Sequence, residues 1–383
     1  MQSTLPGFTA AQLETRGAQW TAHEIAQQPA VWADVTQLVA AQRARLDAFL
    51  VPLLLNPSTR LVFTGAGTSS FIGDCLAPAV SAHLRRRVES LATTNIVSGP
   101  QRYLQRDLPT LLVSFARSGN SPESVATVEL AERVVSNVHH LIITCNAEGE
   151  LAKRASKLRS AHVLLLPDSI NDRGFAMTSS FTSMVLVGGL IFGAIREQSV
   201  PALCRAADAL LPKAWSLAQR LVGREFQRVV YLGSNELSSL ASEAALKLLE
   251  LTDGQVVALG QSTLGFRHGP KTIINNRSLV VLLLSNDAYV RAYDEDLLAE
   301  LRRDARAGEI LAVTAHEVKG GEQVKVEGLA GASDLELAML YVIVAQTYAL
   351  TQSLALGLTP DRPNAAGVVN RVVQGVTIHP WRE

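Results

Sequence analysis

Cysteine is scarce in this chain of 383 residues: Cys75, Cys145 and Cys204 are the only three, odd in number and far apart. They have neither the close spacing of metal ligands nor the even count of a disulfide framework. A stapled secreted scaffold is excluded, and reduced thiols in a cytoplasm are expected. Net charge is missing as well. Lys plus Arg and Asp plus Glu both number 35, so no field draws in nucleic acid or anionic lipid, and no basic recognition helix stands out. An anionic ligand would have to be caught by a local pocket. The N-terminal Met1-Gln-Ser-Thr-Leu-Pro-Gly7 lacks the basic-then-apolar order of a signal peptide. The longest apolar run, Met184 to Ile195, is too short to span a bilayer and reads as a buried helix. No grouping of His, Cys, Asp and Glu matches a zinc or iron site. The expectation is a cytoplasmic protein that uses no metal and no cofactor, and binds neither membrane nor nucleic acid.

What is present is a repeat. The length exceeds one typical core, and 48% of the residues are hydrophobic. Arg60-Leu-Val-Phe-Thr-Gly65 reads as an apolar strand ending in a glycine turn, and Arg228-Val-Val-Tyr-Leu-Gly233 reads the same way 168 residues later. Thr110–Ser114 and Ser278–Leu282 repeat that offset, and Leu141–Cys145 and Ile310–Thr314 follow one residue longer. Three ordered pairs argue for duplication. Helical patterns, such as Pro122–Val135 and Tyr293–Ala307, alternate with these strands. Continuous Val/Leu/Ile runs mean strands buried on both faces. The fold class is therefore α/β: two tandem doubly wound parallel-sheet modules of flavodoxin-like topology. The divisions drawn are a helical N-terminal arm (1–44), a first module (45–200), a second module (201–345), and a C-terminal helix with a tail (346–383).

In such folds ligands sit beyond the carboxyl ends of the strands, where helix N-termini point. Gly65-Ala-Gly-Thr-Ser-Ser70 occupies that place after the first strand. Gly67 lets the backbone approach an anion, and Thr68 and Ser69 offer hydroxyls. Taken alone, a plain hydroxyl-capped turn explains the stretch better than an anion site, and a dinucleotide site explains it worse still, because Ser70 stands where the last glycine of G-x-G-x-x-G belongs. The loop Ser114-Phe-Ala-Arg-Ser-Gly-Asn-Ser-Pro-Glu-Ser124 is richer. Ser118 and Ser121 lie three apart, and Pro122 suits a first helical turn; hydroxyls and helix N–H groups together make a phosphate cradle. An N-cap by Ser121 would account for that serine but leaves Arg117, Ser118 and Gly119 unexplained. A third hydroxyl-rich start, Thr178-Ser-Ser180, precedes the helix read over Phe181–Ile195 and either caps it or joins a shared anion pocket.

Glu243, Lys247 and Glu250 share one face of a helix whose other face carries Leu240, Ala244, Leu248 and Leu251. A solvated salt-bridge stripe competes with catalysis for that pattern. His268, held in Gly265-Phe-Arg-His-Gly-Pro270, adds a second proton-handling group between rigid loop residues. Together they suit isomerase chemistry: Glu250 to move a proton on carbon, His268 to serve an oxygen, Lys247 to hold charge. His139-His140 precedes a strand and reads as solvent-facing, His83 beside Arg85-Arg-Arg87 reads as an exposed helix end, and His316 and His379 have no partner pattern.

These motifs resemble the sugar isomerase (SIS) family of duplicated phosphosugar-binding domains. Thr68-Ser69 and Arg117-Ser118-Gly119-Asn120-Ser121 look like its phosphate loops. Ala245-Leu-Lys-Leu-Leu-Glu250 and Arg267-His-Gly-Pro270 look like the catalytic helix and loop of the isomerase half of glucosamine-6-phosphate synthase. The resemblance implies that Glu250 shuttles a proton between C1 and C2, Lys247 supports the charge of the open-chain intermediate, and His268 assists ring opening across a homodimer interface. A closer resemblance covers nearly the whole chain. Gly65–Ser69, Ser118–Ser124, Asp172-Arg-Gly-Phe-Ala-Met-Thr-Ser-Ser180 and Asn370-Arg-Val-Val-Gln-Gly375 are similar to the AgaS-type galactosamine-6-phosphate deaminase/isomerases, also described as tagatose-6-phosphate ketose/aldose isomerases. It implies a phosphorylated amino-hexose substrate, with Gly67, Thr68, Ser69, Arg117, Ser118, Asn120, Ser121, Thr178 and Ser179 around it. The tail departs from the synthase pattern, placing Gln374 where that family has a Schiff-base lysine, so Arg371 or Gln374 is expected to close over the sugar instead. No glutaminase half accompanies the motifs, which favours the ammonia-releasing direction. The rivals are a nitrogen-free aldose–ketose isomerase, a glucosamine-6-phosphate deaminase, and a sugar-phosphate-sensing regulator.

Overall fold

The computed structural model describes residues 7–382; nearly all of the Met1–Gly7 stretch read for a leader lies outside them. The first sheet is built from β1 (Arg60–Thr64), β2 (Val88–Ser90), β3 (Thr110–Ala116), β4 (Val138–Thr144) and β5 (Ala161–Leu165). The second is built from β6 (Arg228–Gly233), β7 (Val257–Ser262), β8 (Ser278–Leu283), β9 (Glu309–Thr314) and β10 (Glu322–Lys325). The orders are β2-β1-β3-β4-β5 and β10-β9-β8-β6-β7, the same arrangement twice, and every pairing is parallel. Strands β3 and β8, at the centres, are buried at every residue, as sheets covered on both faces require. The strands that sequence patterning left out, β2, β5, β7 and β10, are all at edges or short and partly exposed.

The duplication extends to backbone angles. Gly67, before the helix Thr68–Leu84, has φ 57° and ψ −128°. Asn235, 168 residues on and before the helix Glu236–Leu251, has φ 51° and ψ −121°. The second module thus keeps a strand-to-helix turn in a region that glycine enters freely and asparagine enters at a cost.

Three helix spans differ from the sequence reading. Pro122–Val134 ends one residue early. The apolar helix runs over Ser179–Ile191 and stops where Gly193 turns left-handed at φ 79°. The helix read over Tyr293–Ala307 runs over Ala288–Asp304, because the Asp287 carboxylate accepts from the Tyr289 and Val290 amides and starts it there.

The divisions drawn at residues 44 and 345 fall inside the helices Gln28–Leu55 and Asp334–Ala355, and the C-terminal helix begins at Asp334 rather than 346. That last helix is long and apolar enough to cross a membrane, more so than the Met184–Ile195 run, yet its residues Leu335–Leu354 are buried. It packs on Val200–Val222 and Glu236–Leu251 of the second module and reaches Thr68–Leu84 and Ser179–Ile191 of the first. A single apolar core therefore crosses both modules.

Candidate active site

The junction that matters joins the start of the helix Thr68–Leu84 to the end of the helix Glu236–Leu251. Lys247 is fully buried. Its ammonium donates to Thr68 Oγ1 at 2.8 Å and pairs with Glu250 Oε2 at 2.5 Å and Glu243 Oε1 at 3.3 Å. Burial alone would discharge this lysine, but the Glu243 and Glu250 carboxylates outweigh it and hold its pKa above the ordinary range. Glu243, also fully buried, is pushed up to about 7 by desolvation against the pull of Lys247. The stripe is therefore no solvated salt-bridge face. It is an interior charge cluster in which Glu250 alone remains partly exposed, with a side-chain exposure of 23%.

Glu250 faces a pocket of ≈ 200 Å³. Around it stand the first strand-end loop (Gly67, Thr68, Ser69), the second (Arg117, Ser118, Gly119, Ser121, Ser124), the side chains Phe175 and Met177, and tail residues 369–373. Neither the helix Thr68–Leu84 nor Pro122–Val134 has a side-chain cap, although Ser121 occupies the cap position of the latter. Two helix starts and five hydroxyl side chains thus converge on one cavity. Helix starts, hydroxyls and a nearby cation are what a phosphate needs, and a carboxylate beside them can exchange a proton with carbon.

Arg117 is buried among these groups; desolvation, and secondly Arg371, bring its pKa down to about 10 against the pull of Asp172 and Glu250. It stays charged at neutral pH. Its guanidinium donates to the Phe175 carbonyl at 3.2 Å and the Arg371 carbonyl at 2.9 Å.

Several expected site residues serve elsewhere. Thr178 and Ser179 do not line the pocket. The buried Asp172 carboxylate takes their hydroxyls at 3.5 and 2.6 Å, that of Ser180 at 2.5 Å, and the Thr178 and Ser180 amides at 2.7 and 2.9 Å. The third helix start is thus plugged by the chain's own anion. Asn120 accepts from the Glu150 amide at 2.9 Å, bracing the neighbouring loop. Arg371 lines the cavity through the tail, but its guanidinium bonds the Asp172 carbonyl and, at 3.1 Å, Asn171 Oδ1. Gln374 is exposed and away from the cavity; Val372 and Val373 line it instead.

His268 is also exposed and outside the pocket. Its loop is fixed on the second module by the Arg267–Glu300 pair at 2.9 Å and by Lys271, which binds Glu300 and, at 2.5 Å, Asp304. Among the described residues, no group of three or more His, Cys, Asp or Glu is placed to hold a metal ion. Sequence patterning overlooked Phe175, Met177 and Ser124 as wall residues and Asp172 as an anchor. Only Asp172 had a readable signal, a carboxylate six residues before a run of hydroxyls.

Residues 54–194 match the SIS domain. A Streptomyces coelicolor protein provisionally named D-galactosamine-6-phosphate deaminase AgaS is 51% identical over 94% of this chain and 95% of its own. The D-galactosamine-6-phosphate deaminase AgaS of Shewanella sp. is 42% identical over 98% of this chain and 95% of its own. The crystal structure of tagatose-6-phosphate ketose/aldose isomerase from Escherichia coli superposes with a TM-score of 0.89 at 42% identity, covering 95% of this chain and 97% of that one.

Proposed function

Because this chain belongs to the AgaS family of D-galactosamine-6-phosphate deaminases, we propose that its pocket isomerises and deaminates a 2-amino-2-deoxy-hexose 6-phosphate, galactosamine 6-phosphate first. The observation that carries the reading is the Glu250 carboxylate, paired with a fully buried lysine at 2.5 Å and facing the hydroxyl-rich cavity. The phosphate lies against Ser69, Ser118 and Ser121 and the two uncapped helix starts. Glu250 removes the C2 proton of the open-chain aldose while the C1 carbonyl oxygen takes a proton, giving an enolamine. Lys247, behind Glu250 and outside the cavity lining, supports the charge of the open-chain intermediate through that carboxylate. Return of the proton to C1 leaves a C2 imine. Water adds to it, the C–N bond breaks, and ammonium and a ketose 6-phosphate leave.

Glu250→Gln keeps the shape of the base and loses its function, so kcat should fall at least about a hundredfold with sugar-phosphate affinity retained. Near-normal ammonium release by this variant would overturn the assignment. Because a structural relative carries the name tagatose-6-phosphate ketose/aldose isomerase, the same assay compares galactosamine 6-phosphate, glucosamine 6-phosphate and tagatose 6-phosphate. Turnover of the nitrogen-free sugar alone would make this a plain isomerase.

His268 serves ring opening in a homodimer, presented by one subunit to its partner's pocket. Its exposure and rigid loop support that reading. Mixing inactive Glu250→Gln and His268→Asn subunits should restore activity through hybrid sites; none, with subunit exchange demonstrated, would leave each chain to complete its own site. The three free cysteines support a reducing, cytoplasmic setting.

A further inference from the structure

The helix Gln19–Ala26 of the N-terminal arm lies outside the stretch matched to the SIS domain, yet its polar side grips the wall of the pocket. Glu24 is 3% exposed. Its carboxylate accepts from the Arg173 amide and from the Gly174 amide at 3.1 and 3.2 Å. Gly174 docks so closely that a Cβ there would stand 2.8 Å from both Glu24 Oε2 and Thr21 Oγ1. One residue on, the Phe175 carbonyl receives the buried Arg117 guanidinium, and the Phe175 and Met177 side chains enter the pocket wall. Thr21, which also meets Gly174, and Trp20 donate to the Asp361 carboxylate at 2.7–3.0 Å, tying in the segment that leads to the tail.

We propose that Glu24 is a positioning residue for the phosphosugar pocket: it clamps the Arg173–Gly174 backbone and so sets where Phe175, Met177 and Arg117 stand around the substrate. A carboxyl group in this place is costly. Burial first, then the neighbouring Asp172 carboxylate, push Glu24 up to about 8, and Asp361 adds to the push while the two amides oppose it. A residue serving only to fill space between arm and loop would be cheaper as leucine or methionine. Two anchored amides one and two positions before a wall residue are what the carboxylate supplies in return. Gln27, one helical turn on, reinforces the same loop by donating to the Ser169 carbonyl at 2.8 Å and Ser179 Oγ at 2.9 Å.

The claim rests on the reading of this cavity as the phosphosugar site. The test compares wild type, Glu24→Gln and Glu24→Ala in the full chain, by ammonium release from galactosamine 6-phosphate and by thermal melting. Glutamine keeps one acceptor for the two amides, so its KM should rise only a few-fold. Alanine keeps none, so its KM should rise by about tenfold or more, with kcat of the folded enzyme within about twofold of wild type. That graded rise in KM, with glutamine partly rescuing alanine, is the expected result. If Glu24→Ala does not fold, the rise in KM of Glu24→Gln alone decides. An unchanged KM, whatever happens to kcat or the melting temperature, leaves Glu24 as a purely structural residue and overturns the proposal. If wild type does not turn over galactosamine 6-phosphate, the functional reading fails. Affinity for inorganic phosphate, measured by calorimetry, then reads the positioning claim separately: weaker binding in the variants supports it, and equal binding overturns it.

Discussion

Ser118 and Ser121 are half-buried hydroxyls at the mouth of an uncapped helix, and their value depends on what they face. If that is a phosphate, each forfeits a hydrogen bond to a charged group on truncation, about 1.5–3 kcal/mol. Ser118→Ala and Ser121→Ala should therefore raise KM for phosphorylated sugars roughly tenfold or more; equal losses for unphosphorylated sugars would reduce them to loop residues. Glu243 is tested by stability instead. Its folded pKa of about 7 lies above the 4.5 of an ordinary solvated glutamate, so the folded chain keeps a proton that the unfolded chain releases between those values. Stability from this group is full below about 4.5 and is lost as pH climbs through 7. The urea midpoint of wild type should fall between pH 5 and pH 8 by more than that of Glu243→Gln. Equal falls would mean that Glu243 is ionised in the fold throughout.

At the scale of elements, the helix Glu236–Leu251 must sit hard against β7 to aim Lys247 and Glu250 at the first module. A Cβ on Gly260 of β7 would stand 2.4 Å from the Ala241 carbonyl oxygen and from Ser242 backbone atoms. Backbone cannot yield as a flexible side chain does, so Gly260→Ala should cost roughly 1–3 kcal/mol by overpacking. Because the helix itself must shift, kcat should fall as well, which paired urea unfolding and turnover measurements would show. Wild-type kcat in a destabilised variant would mean that the charge cluster tolerates the shift.

Over the whole molecule, the pocket is closed by a tail that crosses back to the first module. Residues 369–373 form part of its wall, Arg117 holds the Arg371 carbonyl, and Arg133 lies 5.7 Å from the Trp381 ring. The central helix Asp334–Ala355 and the Asp361 anchor lie before that stretch. A chain ending at Arg362 should therefore melt within a few degrees of wild type but bind sugar phosphates at least about tenfold more weakly. Unchanged KM in the shortened chain would make the tail a cover without a role in binding.

The duplication, the parallel sheets and the Glu250–Lys247 pair were legible in the residue order because each rests on local periodicity: apolar runs repeating at 168 residues, and a helical face with charges three and four apart. The helix starts around the pocket were legible for the same reason, as Gly, Ser and Pro at strand ends. Burial was not. Glu243–Lys247–Glu250 on a helical wheel has the pattern of a solvated stripe, and only docking against Thr68, far away in sequence, makes it an interior cluster. The hydroxyls of Thr178 and Ser179 likewise have the composition of ligands, and only the fold of the preceding loop commits them to Asp172. Spacing along the chain decides which face a residue occupies. What that face meets depends on how segments pack in space, and a buried charge takes its character from those contacts.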